Sequence, residues 1–135
     1  MKVWSARDLV RVATSPLAAE LLDDPVIVVD LRPGPNDAAV ADLQPFGSIP
    51  RIVIGIGDPH PAVDVAVPDE PDAAHVADAA TRHPAAATAA VLLLRSSESS
   101  SPAHALIQES ATYSALQAGP EHRAWLASRE PRAAD

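Results

Sequence analysis

Three short apolar runs mark the first half of the chain as strand-forming. They are V-I-V-V-D-L from Val26 to Leu31, R-I-V-I-G-I-G from Arg51 to Gly57, and V-D-V-A-V from Val63 to Val67. The first two are rich in β-branched residues and show no alternation, which is typical of strands buried on both faces of a covered parallel sheet. Helical patterns lie between and around them, which favours an α/β layered fold over a sandwich. We predict a small, mostly parallel three-stranded sheet with flanking helices.

Polar residues at the right places predict short helices around these strands. A side-chain oxygen of Ser5 can cap a first helix that buries Leu9 and Val12 on one face. Two further helices are expected, from Ser15-Pro16 to about Asp23-Asp24, and from Asp37 to Leu43 after Asn36. Pro at a first helical position and Ser or Asn at a cap are the signals used here.

The second half of the chain predicts helices almost throughout. The expected helices run from Asp72 to Arg82, from Pro84 to Leu94, from Pro102 to the Gly119-Pro120 break, and over a short stretch after that break. The serine-rich stretch Ser96 to Ser101 is expected to form a solvated loop. We therefore predict one domain over residues 1–135, with an α/β part at 1–68 and a helical part at 69–135.

Composition excludes several classes of function. The net charge is −8, and Lys and Arg form no stripe with aromatic residues, so we expect neither a nucleic-acid surface nor attraction to an anionic membrane. The absence of Cys excludes disulfides, thiol nucleophiles and Cys-based metal sites. The N-terminus lacks the apolar core of a signal peptide, and no apolar run is long enough to span a membrane. A cytoplasmic protein is expected.

Motifs that carry chemistry are scarce. Gly55-x-Gly57 ends a strand but lacks the third Gly of a dinucleotide fingerprint and the Lys of a P-loop, so a strand-ending turn is the favoured interpretation. The five His residues show no metal-ligand spacing, and no serine nucleophile elbow occurs. Asp30, Asp58 and Asp64 lie at or near strand ends, where α/β folds place ligand sites. For Asp64, a carboxylate held by backbone donors and a catalytic carboxylate are equally open.

The helix that begins at Pro102 carries a possible polar site. Glu109 and Tyr113 lie one turn apart, and Leu116 lies near them on the same side. A structural hydrogen bond or ion pair is favoured over general acid–base catalysis, because no second catalytic group accompanies them.

The two strand sequences that end in Gly57 and Val67, and the close of the chain from Gly119 to Pro131, together resemble the enoyl-CoA hydratase/isomerase (crotonase) superfamily. I-P-R-I-V-I-G-I-G followed by V-D-V-A-V is similar to that family's Pro-led strand ending in Gly and the Asp-bearing strand after it. G-P-E-H-R-A-W-L-A-S-R-E-P is similar to the family's helical close, with Trp125 at the aromatic position, Arg129 at the basic position, and Pro131 after them. The part from Ala105 onward resembles a segment that precedes the complete crotonase domain in an actinobacterial subgroup.

Two departures from the crotonase pattern concern its oxyanion hole, which two backbone N–H groups form. One donor comes from the loop that matches Arg32 to Asp37, where Pro33 and Pro35 have no N–H to donate. The other comes from a Gly-Gly segment that is reduced here to D-P-H-P-A after Gly57. The resemblance therefore implies a shortened, reduced crotonase-like scaffold, a pseudoenzyme with no catalytic residues of its own.

The resemblance implies an interaction or assembly module for an acyl-CoA-processing, crotonase-type partner, or a homo-oligomer. The candidate interface residues are Glu109, Tyr113, Leu116, Trp125 and Arg129. No cofactor or metal is expected, although a CoA thioester is a possible ligand. The alternative is a small enzyme or auxiliary factor of the enoyl-CoA hydratase/isomerase type, acting on an acyl-CoA or a specialised-metabolite thioester.

Overall fold

The computed structural model describes residues 1–15, 24–32, 40–43 and 50–129. The chain divides into two compact units, Met1–Pro84 and Ala85–Asp135. The elements of the described residues, in chain order, are β1 (Val3–Ser5), α1 (Ala6–Ala13), β2 (Val26–Asp30), β3 (Ile52–Ile56), β4 (Val65–Val67), α2 (Glu70–Arg82), α3 (Pro84–Ser97), α4 (Pro102–Ala118) and α5 (Pro120–Ser128).

The first unit is built on a parallel sheet with the strand order β1-β2-β3-β4. In this register Val28 of β2 lies between Val3 of β1 and Ile54 of β3, and Ile54 pairs in turn with Val65 of β4. The predicted α/β class with a parallel sheet and a helical C-terminal half is confirmed. The sheet has four strands rather than three, because β1 contains three residues, too few to show a periodic pattern.

Both faces of the sheet are covered. The core on one face, which α1 helps to cover, consists of Ala6, Leu9, Val12, Ile27, Val29, Leu31, Leu43, Val53 and Ala62. Successive strand residues point to opposite faces, so the fully buried Val28 and Ile54 point to the other side. There α2 contacts β2, β3 and β4 and buries three alanines on its inner side. Burial on both sides explains why β2 and β3 lack alternation.

Side-chain caps start the two helices of this unit. The Ser5 hydroxyl accepts a hydrogen bond from the backbone N–H of Asp8 at 3.1 Å, as the sequence predicts. Asp69 caps α2 in the same way, accepting from the N–H of Asp72 at 3.0 Å. Because Asp69 is the cap, α2 begins at Glu70, two residues before the predicted start.

An unusually short connection joins the parallel strands β3 and β4. Parallel neighbours ordinarily need a crossover of a dozen or more residues, yet only residues 57–64 separate these two strands. Val63 lies so close to Gly55 that a Cβ there would come within about 3.1 Å of it. Gly57 has a φ of 125°, which disfavours any residue with a side chain. The Gly55-x-Gly57 pair therefore serves this turn, in agreement with the favoured interpretation of the motif.

Asp64 ends this crossover by binding the edge of β3. Its backbone N–H donates to the Val53 carbonyl and its carboxylate accepts from the Val53 N–H, both at 2.8 Å. The structure thus supports the structural interpretation of Asp64 over the catalytic one. Because Val63 and Asp64 belong to the crossover, β4 begins at Val65 rather than at Val63 as predicted.

The second unit consists of α3, α4 and α5. Their order and the break at Gly119-Pro120 agree with the sequence prediction. The predicted end of α3 at Leu94 is wrong: the helix continues to Ser97. The hydroxyls of Ser96 and Ser97 donate to carbonyls three residues earlier, which lets serines occupy the last helical turn. Ser101 then caps α4 through the N–H of His104.

Some predicted elements lie outside the described residues. They are the helix from Ser15-Pro16 to Asp23-Asp24 and most of the helix from Asp37 to Leu43. Within the described ranges, no helix is long and apolar enough to cross a membrane.

The contact at Gly55 leads to a stability prediction. In Gly55→Ala the new Cβ would lie 2.6 Å from Leu31 Cδ1 and 3.1 Å from Val63, so core and crossover must shift. We expect the free energy of unfolding to fall by about 1–3 kcal/mol, the usual cost of overpacking, as measured by chemical denaturation. The half-exposed strand position Val65 provides the control, because Val65→Thr should change stability by no more than about 0.5 kcal/mol. Equal stability of the two variants would contradict the proposed packing.

Candidate functional site

The carboxyl ends of the strands are the usual ligand edge of an open parallel sheet. Here Arg32 and Asp30, just after and at the end of β2, meet Glu70 at the start of α2. The Arg32 guanidinium donates to both oxygens of Asp30, at 2.9 and 2.7 Å, and to Glu70 at 3.4 Å. The backbone N–H of Arg32 also donates to Asp30. This arrangement fastens the start of α2 to the end of β2.

The charges in this cluster are mutually satisfied. The hydrogen bonds from the Arg32 guanidinium hold the pKa of the Asp30 carboxyl below its ordinary value of 3.8, although partial desolvation acts in the opposite direction. The same pairing raises the pKa of Arg32. An Arg that two carboxylates already engage is poorly placed to bind a phosphate. In the described part of the chain, no three His, Asp or Glu side chains are grouped so that they could hold a metal ion.

The interface candidates on α4 occupy different surroundings. Tyr113 is 63% exposed, and its hydroxyl accepts a hydrogen bond from Gln117 at 3.0 Å. Glu109 is exposed, and the hydrogen bond or ion pair favoured for it is not found among the described residues. Leu116 is half-buried and lines a cavity in the helical unit. The structure therefore does not join Glu109 and Tyr113 into a site.

On α5 and at its C-cap, Arg129, the structure brings two candidates together. The Arg129 guanidinium lies over the Trp125 indole, 4.7 Å from the ring centroid. The His122 ring stacks on the same indole at 5.6 Å with an interplanar angle of 26°. Since these residues are three and four positions from Trp125, they lie along one face of α5. Trp125 remains 44% exposed despite both contacts.

Two basic side chains of α5 also hold it to the end of α4. His122 Nδ1 lies 3.0 Å from the carbonyl oxygen of Gln117, and Arg123 donates to that of Ala118 at 2.7 Å. A carbonyl only accepts, so Nδ1 of His122 carries the proton. These carbonyls belong to the last turn of α4, where no helical partner is available and the helix dipole favours positive charge.

A cavity of about 280 Å³ lies between the three helices of the second unit. Its lining is largely apolar: Ala85, Ala89, Thr112, Ala115, Leu116, Gly119, Pro120 and Glu121. Beside it the Glu121 carboxylate accepts hydrogen bonds from the N–H groups of Ala85 and Ala86, at 2.9 and 3.4 Å. A carboxylate from α5 thus caps the N-terminus of α3.

Sequence reasoning missed Glu121, His122 and Arg32. The sequence shows an acidic residue at the start of α5 and a His three residues before Trp125. It does not predict their roles, because their partners lie on other helices or the contact depends on the orientation of a ring. No spacing rule links Glu121 to Ala85, because 36 residues separate them.

No family model, curated protein or solved structure matches this chain. The likeness to crotonases therefore stays a prediction from the residues quoted above.

The Asp30–Arg32 pair leads to a prediction about pH. A depressed pKa in the folded state stabilises the fold above the ordinary Asp pKa, and this stabilisation is lost as the pH falls through the folded-state pKa. Arg32→Gln should therefore lower the free energy of unfolding at neutral pH, and the difference from the wild type should shrink below the ordinary value of 3.8. Denaturation midpoints across this range measure it.

The matched control is Arg11→Gln, which removes an exposed pair held by a single hydrogen bond to Asp8. It should cost less at neutral pH than Arg32→Gln, because surface pairs of this kind contribute little. A loss in Arg32→Gln that is the same at neutral and acidic pH would assign the effect to packing rather than to the ion pair.

Proposed function

We propose that this chain is a non-catalytic interaction module that binds a crotonase-type, acyl-CoA-processing partner through its helical unit. The surface that makes the contact, here called the contact surface, consists of the exposed large apolar side chains of α3, α4 and α5: Leu94, Leu106, Ile107, Tyr113, Trp125 and Leu126.

The main support for this proposal is that these three helices have no buried core. None of α3, α4 and α5 has a buried residue, and the side chains of the contact surface are between 44% and 67% exposed. Each large apolar side chain gains about 1.5–3 kcal/mol when it is fully removed from water. A contiguous patch of such side chains is typical of a protein–protein contact, and we propose that these side chains form one.

Trp125 is the anchor that we favour. Its position between His122 and Arg129 restricts the ring before any partner arrives, so little side-chain entropy remains to be lost on binding. Trp, Tyr and Arg dominate the binding energy of protein interfaces, and the contact surface or its border contains all three.

We infer a partner of the crotonase type from the sequence resemblance. The close from Gly119 to Pro131 resembles the helical end of that family, while Pro33 and Pro35 remove N–H groups where the family's oxyanion donors lie. The chain keeps a sequence like the family's C-terminal helices but lacks the backbone N–H donors of its oxyanion hole. This combination fits a role in binding a partner better than a role in catalysis.

Trp125→Ala tests the contact. Binding of a purified crotonase-family enoyl-CoA hydratase, used as the probe, is measured by sedimentation velocity and calorimetry. We expect the substitution to weaken binding by about 2–4 kcal/mol, as for an interface hot spot. Trp125→Phe keeps an aromatic ring and should lose less. Wild-type affinity in a Trp125→Ala variant of unchanged helicity would overturn the role of Trp125.

A second candidate is an acyl-thioester-binding protein or a small enzyme of the hydratase/isomerase type, favoured by the apolar cavity of about 280 Å³. Isothermal titration with CoA and crotonyl-CoA separates the two functions. The module is expected to bind neither and to leave crotonyl-CoA unchanged. Micromolar binding of crotonyl-CoA that weakens when Ala115→Phe fills the cavity, or turnover without a partner, would favour the second candidate.

A further inference from the structure

The cavity between α3, α4 and α5 has the size of a site for a small molecule. Its volume is about 280 Å³, and three of its lining residues, Ala85, Ala115 and Pro120, are exposed. A small molecule can therefore enter from solvent without separating the helices. An apolar cavity of about 150 Å³ accommodates benzene, so this one has room for roughly eleven non-hydrogen atoms. That is the size of one ring or a short aliphatic chain, and far less than a CoA thioester.

Thr112 and Glu121 supply the two polar side chains of the lining. Thr112 is partly buried, and among the described residues its hydroxyl has no hydrogen-bond partner. Thr81 and Ser114, by contrast, each donate to the carbonyl four residues earlier in their helix, at 2.8 and 2.9 Å. Thr112 is thus the side chain that can hydrogen-bond a molecule in this cavity, and its hydroxyl can both donate and accept.

Glu121 bears on the charge of such a molecule. A carboxylate in the wall of a largely apolar cavity disfavours a second negative charge beside it. Both of its oxygens already accept hydrogen bonds, from the N–H groups of Ala85 and Ala86 at the start of α3. The carboxylate is therefore engaged by the helix N-terminus and is poorly placed to pair with a cation. A neutral ligand fits these surroundings best.

We propose that this cavity binds a small neutral alcohol or ketone, whose polar group hydrogen-bonds Thr112 and whose apolar part packs on Ala89 and Leu116. The inference goes beyond the proposed function, because no residue of the contact surface lines the cavity. The helices α3, α4 and α5 have no buried residue, so a ligand that touches all three adds apolar packing that they lack. Binding would stabilise the helical unit by mass action.

Titration calorimetry on the full chain with 1-heptanol tests the proposal. We expect a Kd of about 0.1–1 mM, as for a well-placed ligand of this size. Heptanoate has the same chain length but a negative charge, and it should bind at least about tenfold more weakly because a charge is costly in apolar surroundings.

Two substitutions locate the site. Ala89→Leu fills the cavity and should raise the Kd for 1-heptanol at least about tenfold, because an occupied site leaves no room for the ligand. Its control is Ala90→Leu, at an exposed neighbouring position outside the lining, which should change the Kd by less than about twofold. Thr112→Val removes only the hydroxyl. It should raise the Kd for 1-heptanol about three- to tenfold and leave the binding of toluene, which has no polar group, unchanged.

The results that would overturn the proposal are specific. They are the absence of 1-heptanol binding to the folded wild type, or binding that survives in an Ala89→Leu variant with native circular dichroism. Heptanoate binding as tight as that of 1-heptanol, or competition by crotonyl-CoA, would overturn the choice of a small neutral ligand.

The failure of this proposal is separable from that of the proposed function. Trp125 lies outside the cavity lining, so Trp125→Ala should bind 1-heptanol like the wild type even where it loses the hydratase probe. A wild-type chain that binds the hydratase but not 1-heptanol overturns the ligand site and leaves the contact surface in place.

Discussion

The first unit depends on one steric constraint, the close approach of the β3–β4 crossover to the sheet. Eight residues connect the end of β3 to the start of β4, and they must bring β4 alongside β3 in the parallel direction without a helix to span the distance. This requires a missing side chain at Gly55, a positive φ at Gly57 and an aspartate that replaces strand hydrogen bonds at Val53. The strand ends then align, and Arg32 can reach from β2 to α2.

The two units follow different physical rules. In the first unit, β-branched residues lie between covering elements on both faces, and Asp30, Arg32 and Glu70 at the sheet edge are paired with one another. In the second, alanine-rich helices bury no residue and are held by end contacts: Glu121 on the start of α3, and His122 and Arg123 on the end of α4. Such contacts fix helix positions while leaving much apolar surface in water.

Local signals in the sequence predicted much of the fold. Unalternated β-branched runs identified β2 and β3, and Ser5 and the Gly119-Pro120 break marked helix ends correctly. Features that depend on distant partners were missed. The strand β1 is defined only by its pairing with β2, and the capping of α3 by Glu121 spans 36 residues. For the candidate site, sequence placed Trp125 and Arg129 in one short helical stretch, but the contact of the guanidinium with the indole depends on rotamers that spacing does not determine.

The outer strands of the sheet have a consequence for how this protein meets others. Strands β1 and β4 each contain three residues, so each edge offers only a short row of backbone donors and acceptors. Brief edge strands are one of the devices by which proteins avoid uncontrolled strand-to-strand stacking. The sheet is thus a poor template for growth by added strands. Any added strand would find only three residues to pair with at either edge, so a side-chain contact would not have to compete with one between strands.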